Sequence, residues 1–151
     1  MQDDPSSTAS PHAQAAREAK RMEAAELGID DLFVSRLVDD FYGRVRDDDA
    51  LGPIFNSRVK DWDAHLGQMK RFWRSILFST GEFFGNPMLK HMMIPEIDRA
   101  LFDRWLSLFG DTLDTLGDAD AREHVHSRAR MIAGSLLNGV ESFRRSHAAS
   151  A

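Results

Sequence analysis

The chain has 151 residues, 42% of them hydrophobic and 28% charged, with a formal net charge of −5, as expected for one soluble domain. The absence of cysteine excludes disulfides, thiolate nucleophiles, iron–sulfur clusters and cysteine-bound zinc, and the negative charge argues against a nucleic-acid partner. At most three apolar residues follow one another. We therefore expect no membrane partner, no signal peptide and a cytoplasmic location.

Residues 1–11 are small and polar, a composition that predicts a disordered tail. The five segments that follow have the period of amphipathic helices, and none alternates as a β-strand does. The first covers residues 12–27, is rich in alanine and glutamate and ends at Gly28. The second begins after Asp30, a predicted N-cap, and continues to the acidic run at 47–49.

A turn is predicted at Gly52-Pro53, before the last three segments. These segments are predicted at about residues 61–80, 98–116 and 118–146. The period predicts an all-α domain that packs as a globular sandwich of helices rather than as a coiled coil. Gly43 and Gly67 lie inside two of these helices, and we expect them to let those helices cross closely.

Two histidines stand out because apolar residues surround them. His65 lies in the apolar stripe of the third helix, where a core histidine with one hydrogen-bond partner is the alternative interpretation. His91 lies between Pro87 and Pro95, which limit the segment to one or two helical turns. The alternative for His91 is a loop histidine that caps a helix C-terminus.

The spacing of the two histidines allows them to face each other. The helix continues for about 22 Å beyond His65, and the eleven positions from Thr80 to His91 are too few for a long returning helix. A looping return places His91 across a gap that suits a flat apolar ligand with a central metal. Tyr42 and Trp105 carry polar hydrogens on predicted buried faces, which need acceptors there, although an ordinary aromatic core explains most such stripes.

Several strings of the sequence resemble the group III truncated haemoglobins, a family of bacterial two-over-two globins. The resemblance covers about residues 25–145, and its most specific elements are the LGPIF string at 51–55 and the pair Phe41-Tyr42. It implies a truncated globin fold over residues 12–147, with a short tail at 148–151. Haem b is the implied cofactor, held between two helix pairs beside a reduced proximal helix.

The resemblance also implies the roles of individual residues. His91 corresponds to the proximal iron ligand, and His65 to a distal residue that is also an alternative iron ligand. The other implied distal residues are Tyr42 and Trp105. The implied haem contacts are Phe55, His65, Met69, Phe72, Lys90, His91 and Trp105.

The implied function is the binding of dioxygen, nitric oxide, carbon monoxide or another small iron ligand. A redox role, such as nitric oxide dioxygenation or peroxide chemistry, would need a separate reductase, because the sequence has no flavin or nicotinamide motif. The alternatives are a pure gas-binding or sensing protein and a haem-free helical interaction module on a globin fold.

Overall fold

The computed structural model describes residues 10–148. Residues 1–9 of the tail predicted at 1–11 lie outside this range, as do residues 149–151 of the C-terminal tail. The prediction is wrong for the last two residues of the N-terminal tail, because Ser10 caps the first helix and Pro11 begins it. The all-α prediction is confirmed, since residues 10–148 form seven helices and no strand. The helices are α1 (Pro11–Glu26), α2 (Asp31–Asp47), α3 (Gly52–Arg58), α4 (Trp62–Phe78), α5 (Pro87–Met92), α6 (Arg99–Leu113) and α7 (Ala119–Ala148).

Short acidic side chains begin three of the long helices. The carboxylates of Asp30, Asp61 and Asp98 accept hydrogen bonds from the backbone N–H three residues later, at 2.8–3.1 Å. Each satisfies one of the donors that a helix N-terminus leaves free. The N-cap predicted at Asp30 is thereby confirmed.

Four helices form the body of the molecule. The second helix, α2, packs against both α4 and α6, and α6 packs against α7. The buried side chains of α2 and α6 meet around Phe41 and Phe109, whose ring centroids are 5.1 Å apart in an edge-to-face contact. This arrangement leaves α3 and α5 to close the space beside the core, where α3 packs on α2 and α5 on α7.

Two short helices differ in how well the sequence predicts them. The turn between the prolines forms as expected, because Asn86 caps α5 and Pro87 occupies its first position. In place of helix α3 the sequence predicts only a turn at Gly52-Pro53, since seven residues are too few to show a period. The proline there begins the helix, where its missing N–H costs nothing.

The prediction for Gly43 and Gly67 is wrong. A Cβ added at Gly43 meets nothing within 4 Å, and one at Gly67 meets only the side chain of Arg71 on its own helix. The close approach instead involves Gly52, where a Cβ would lie 2.8 Å from the carbonyl oxygen of Arg46. Glycine at this position allows α3 to begin directly against the end of α2.

None of the helices in residues 10–148 is both long and apolar enough to cross a membrane.

Candidate functional site

A cavity of about 680 Å³ lies among α2, α3, α4, α5, α6 and α7. Its volume is in the range of pockets that bind cofactors and small ligands. Among the described residues, the lining is mainly apolar and aromatic, and it contains two histidines, two cationic side chains and no carboxylate. The structure brings every site residue predicted from the sequence to this cavity: Tyr42, Phe55, His65, Met69, Phe72, Lys90, His91 and Trp105.

His65 reaches the cavity from the first half of α4. Its Nε2 is buried and has no hydrogen-bond partner among residues 10–148. Burial lowers the pKa of His65 below its ordinary value, and the nearby charge of Lys90 lowers it further. The ring is therefore neutral at pH 7, and its buried nitrogen needs a partner that the described protein does not supply.

Tyr42 reaches the same region from α2, and its side chain is buried. Its ring makes edge-on contacts with Phe55 and with His65, at centroid distances of 5.8 and 5.1 Å. Desolvation raises the pKa of Tyr42 well above its ordinary value, so the hydroxyl keeps its proton and remains a hydrogen-bond donor. No described residue accepts a hydrogen bond from it.

His91 reaches the cavity from α5, in the last turn of this short helix. Its Nδ1 lies 2.5 Å from the carbonyl oxygen of Pro87, one turn earlier. Because a carbonyl can only accept, Nδ1 carries the proton, and in the neutral form of the ring Nε2 has its lone pair available for another partner. The ring of Phe102 lies nearly parallel to the imidazole, at a centroid distance of 6.4 Å.

The second half of helix α7 holds α5 in place. At Gly139 the chain has no Cβ, and an added one would collide with the sulfur of Met88. The guanidinium of Arg144 donates hydrogen bonds to the carbonyl oxygens of Ile94 and Pro95, at 3.3 and 3.1 Å. These contacts restrain the chain on both sides of His91.

An ion pair that sequence reasoning missed secures Trp105. The next residue towards the N-terminus, Arg104, binds the carboxylate of Asp48 with two hydrogen bonds. The same carboxylate accepts from the backbone N–H groups of Ala50 and Leu51, before α3 begins. Hydrogen bonds from Arg104 and from this backbone lower the pKa of Asp48. The pair fixes α6 to the corner between α2 and α3, although 56 positions separate its members.

Aromatic rings continue from Trp105 into the core. Its indole stacks on the ring of Phe109 at 5.1 Å and 18°, and Phe41 meets it edge-on at 5.2 Å. Trp73, which also lines the cavity, stacks on the ring of Phe109 at 5.1 Å. The indole of Trp105 is thus held on one side of the cavity, and no described residue accepts a hydrogen bond from its N–H group.

Comparisons with known proteins found similar sequences. The model of the bacterial-like globin family matches residues 25–138. The group 3 truncated hemoglobin ctb of Campylobacter jejuni is 32% identical over 109 residues, which cover 70% of this chain and 86% of that protein. The group 2 truncated hemoglobin YjbI of Bacillus subtilis is 32% identical over 123 residues, which cover 78% and 91%.

A solved structure is similar over the same region. The crystal structure of the group III truncated hemoglobin from Campylobacter jejuni is 31% identical to this chain and superposes with a TM-score of 0.71. The match covers 74% of this chain and 91% of that one.

Proposed function

Since this chain belongs to the bacterial-like globin family, we propose that its cavity holds haem b and that the protein binds dioxygen and other diatomic gases there. The comparisons confirm the truncated globin fold and the similarity to group III truncated haemoglobins that the sequence predicts. The observation that carries this proposal is the presence of two imidazoles, from α4 and α5, in one apolar cavity. The expected partners are dioxygen, nitric oxide and carbon monoxide.

The residues of the cavity fit haem. The buried, unpartnered Nε2 of His65 needs a polar or metallic partner. The hydrogen bond from Nδ1 of His91 to Pro87 orients the other ring nitrogen as a metal ligand requires. The remaining lining is apolar, which suits the faces of a porphyrin.

We assign His91 as the residue that would ligate the iron, with His65 as the alternative ligand, and Tyr42, His65 and Trp105 as the residues that would contact a bound gas. Haem, if held by one of these histidines, would supply an iron that binds a diatomic ligand. Four further lining residues contact the porphyrin in this assignment, namely Phe55, Met69, Phe72 and Lys90.

The distal residues favour a redox role over transport. Tyr42 and Trp105 bring two N–H or O–H donors to the cavity, and neither has an acceptor among residues 10–148. A hydrogen bond to a charged acceptor contributes about 1.5–3 kcal/mol. Two such bonds to dioxygen slow its release by roughly a hundredfold or more. Slow release suits nitric oxide dioxygenation or peroxide chemistry with electrons from a separate reductase.

Absorption spectra test the cofactor, and turnover tests the redox role. A Soret band in the reconstituted protein is expected, and its absence would favour the haem-free interaction module. Consumption of nitric oxide by the reduced, oxygenated protein, sustained by an added electron donor, is expected for the redox role. Reversible gas binding without such turnover would instead favour a sensor.

A further inference from the structure

Two cationic side chains lie at the edge of the cavity. Arg58 is the last residue of α3, and Lys90 lies in α5 beside His91. Both line the cavity, and both are exposed to solvent. Because no carboxylate of residues 10–148 lines the cavity, these two charges have no counter-ion within it from that part of the chain.

The guanidinium of Arg58 has its carboxylate partner outside the cavity. Its Nη2 donates to Oε2 of Glu96 at 2.9 Å, and Nη1 donates to the hydroxyl of Ser57 at 3.3 Å. Glu96 lies in the loop between α5 and α6 and does not line the cavity, although its neighbours Ile94 and Ile97 do. The two side chains are 37% and 50% exposed.

We propose that Arg58 binds a propionate carboxylate of haem, and that Glu96 competes for the same guanidinium when haem is absent. This inference rests on the proposed function. A propionate and a glutamate side chain end in the same anionic group, and a guanidinium binds either one by the same forked hydrogen bonds. An ion pair as exposed as Arg58–Glu96 is weak, so little opposes the exchange.

A purely structural role for the Arg58–Glu96 pair predicts a different effect on haem release. If the pair only ties α3 to the loop after α5, removal of either partner loosens the cavity and speeds the loss of haem. If Arg58 binds haem and Glu96 competes, the two removals act in different directions. The sign of the effect at Glu96 therefore separates the two roles.

The experiment measures the rate at which the holoprotein transfers haem to an excess of apomyoglobin. The variants are Arg58→Gln, Glu96→Gln and the double substitution. Arg36→Gln and Glu18→Gln are the matched controls for net charge, because both residues are exposed and neither lines the cavity. The same set is loaded with haem dimethyl ester, whose propionates carry no charge.

Arg58→Gln is expected to release haem about two- to fivefold faster, which is the effect of one exposed ion pair. Glu96→Gln is expected to release haem no faster than the unmodified protein, and the double variant is expected to match Arg58→Gln. With the dimethyl ester, or at high salt, Arg58→Gln and the unmodified protein are expected to agree.

Three results would overturn the inference. One is faster release from Glu96→Gln, and another is unchanged release from Arg58→Gln. The third is an effect of Arg58→Gln that persists with the dimethyl ester. Each leaves haem binding itself intact, whereas an unmodified protein that takes up no haem overturns the proposed function as well.

Discussion

The imidazole of His65 lies perpendicular to the phenol ring of Tyr42, with 5.1 Å between the ring centroids. Neither polar end has a hydrogen-bond partner among residues 10–148, although both side chains line the same cavity. The buried, unpartnered Nε2 of His65 makes the folded chain less stable than an apolar side chain there would. The two side chains lie next to each other. They also give a small polar ligand two hydrogen-bonding groups at once.

Tyr42→Phe is expected to speed the release of dioxygen by about tenfold or more, because it removes one hydrogen bond to a partly charged acceptor. The ring contacts with Phe55 and His65 remain, so we expect little change in the free energy of unfolding. Stopped-flow release of dioxygen and of carbon monoxide checks this. Carbon monoxide carries less charge and is expected to change less. Equal changes for both gases would indicate an altered pocket shape and assign the dioxygen contact to Trp105 or His65.

His65→Leu is expected to stabilise the haem-free protein by about 1 kcal/mol, because it removes a buried nitrogen without a partner. The gain is expected to grow as the pH falls. Since burial holds the folded-state pKa below the unfolded one, protons bind the unfolded chain more strongly below about pH 6.5. Thermal unfolding from about pH 7.5 to about pH 5.5 measures both effects. A pH-independent difference between His65→Leu and the unmodified protein would contradict this account.

His91→Gly is expected to abolish tight haem retention, or to make it depend on added imidazole, because the carbonyl of Pro87 orients this ring for a ligand. The measurement is the Soret spectrum after gel filtration, with and without imidazole. His12→Gly, at the exposed start of α1, is the control. A five-coordinate histidyl spectrum in His91→Gly without imidazole would assign the iron to His65 instead.

Gly52→Ala is expected to destabilise the protein by about 1–3 kcal/mol, because its Cβ would lie 2.8 Å from the carbonyl oxygen of Arg46. Gly43→Ala is the matched control. Its Cβ meets nothing within 4 Å, so the better helix propensity of alanine is expected to stabilise the protein by about 0.5–1 kcal/mol. Chemical denaturation of both variants tests the pair. Destabilisation by Gly43→Ala, with none by Gly52→Ala, would instead support the close helix crossing that the sequence predicts at Gly43.

The sequence predicts the long helices and the turn of His91 well, because these depend on local signals. Apolar stripes repeat with the helical period, and two prolines limit the segment around His91. The hydrogen bond from His91 to the carbonyl of Pro87 also spans a single helical turn and is therefore local. These features need no knowledge of what packs against them.

The sequence does not predict the contacts that join distant segments. Asp48 and Arg104 are 56 positions apart, and Arg58 and Glu96 are 38 apart. Acidic and basic residues are common in this chain, so nothing local indicates which ones meet. Helix α3 was missed for a related reason, because its seven residues complete only about two turns.

Helix α5 is short enough to unfold locally. A helix of six residues is far below the length that is stable in isolation. Contacts with α7 therefore stabilise α5, namely the packing of Met88 against Gly139 and the hydrogen bonds of Arg144. Local unfolding of α5 would free His91 while the other helices stay folded. Without haem, the backbone amides of α5 should therefore exchange with deuterium well before those of α2 or α6, and a bound iron should slow them selectively.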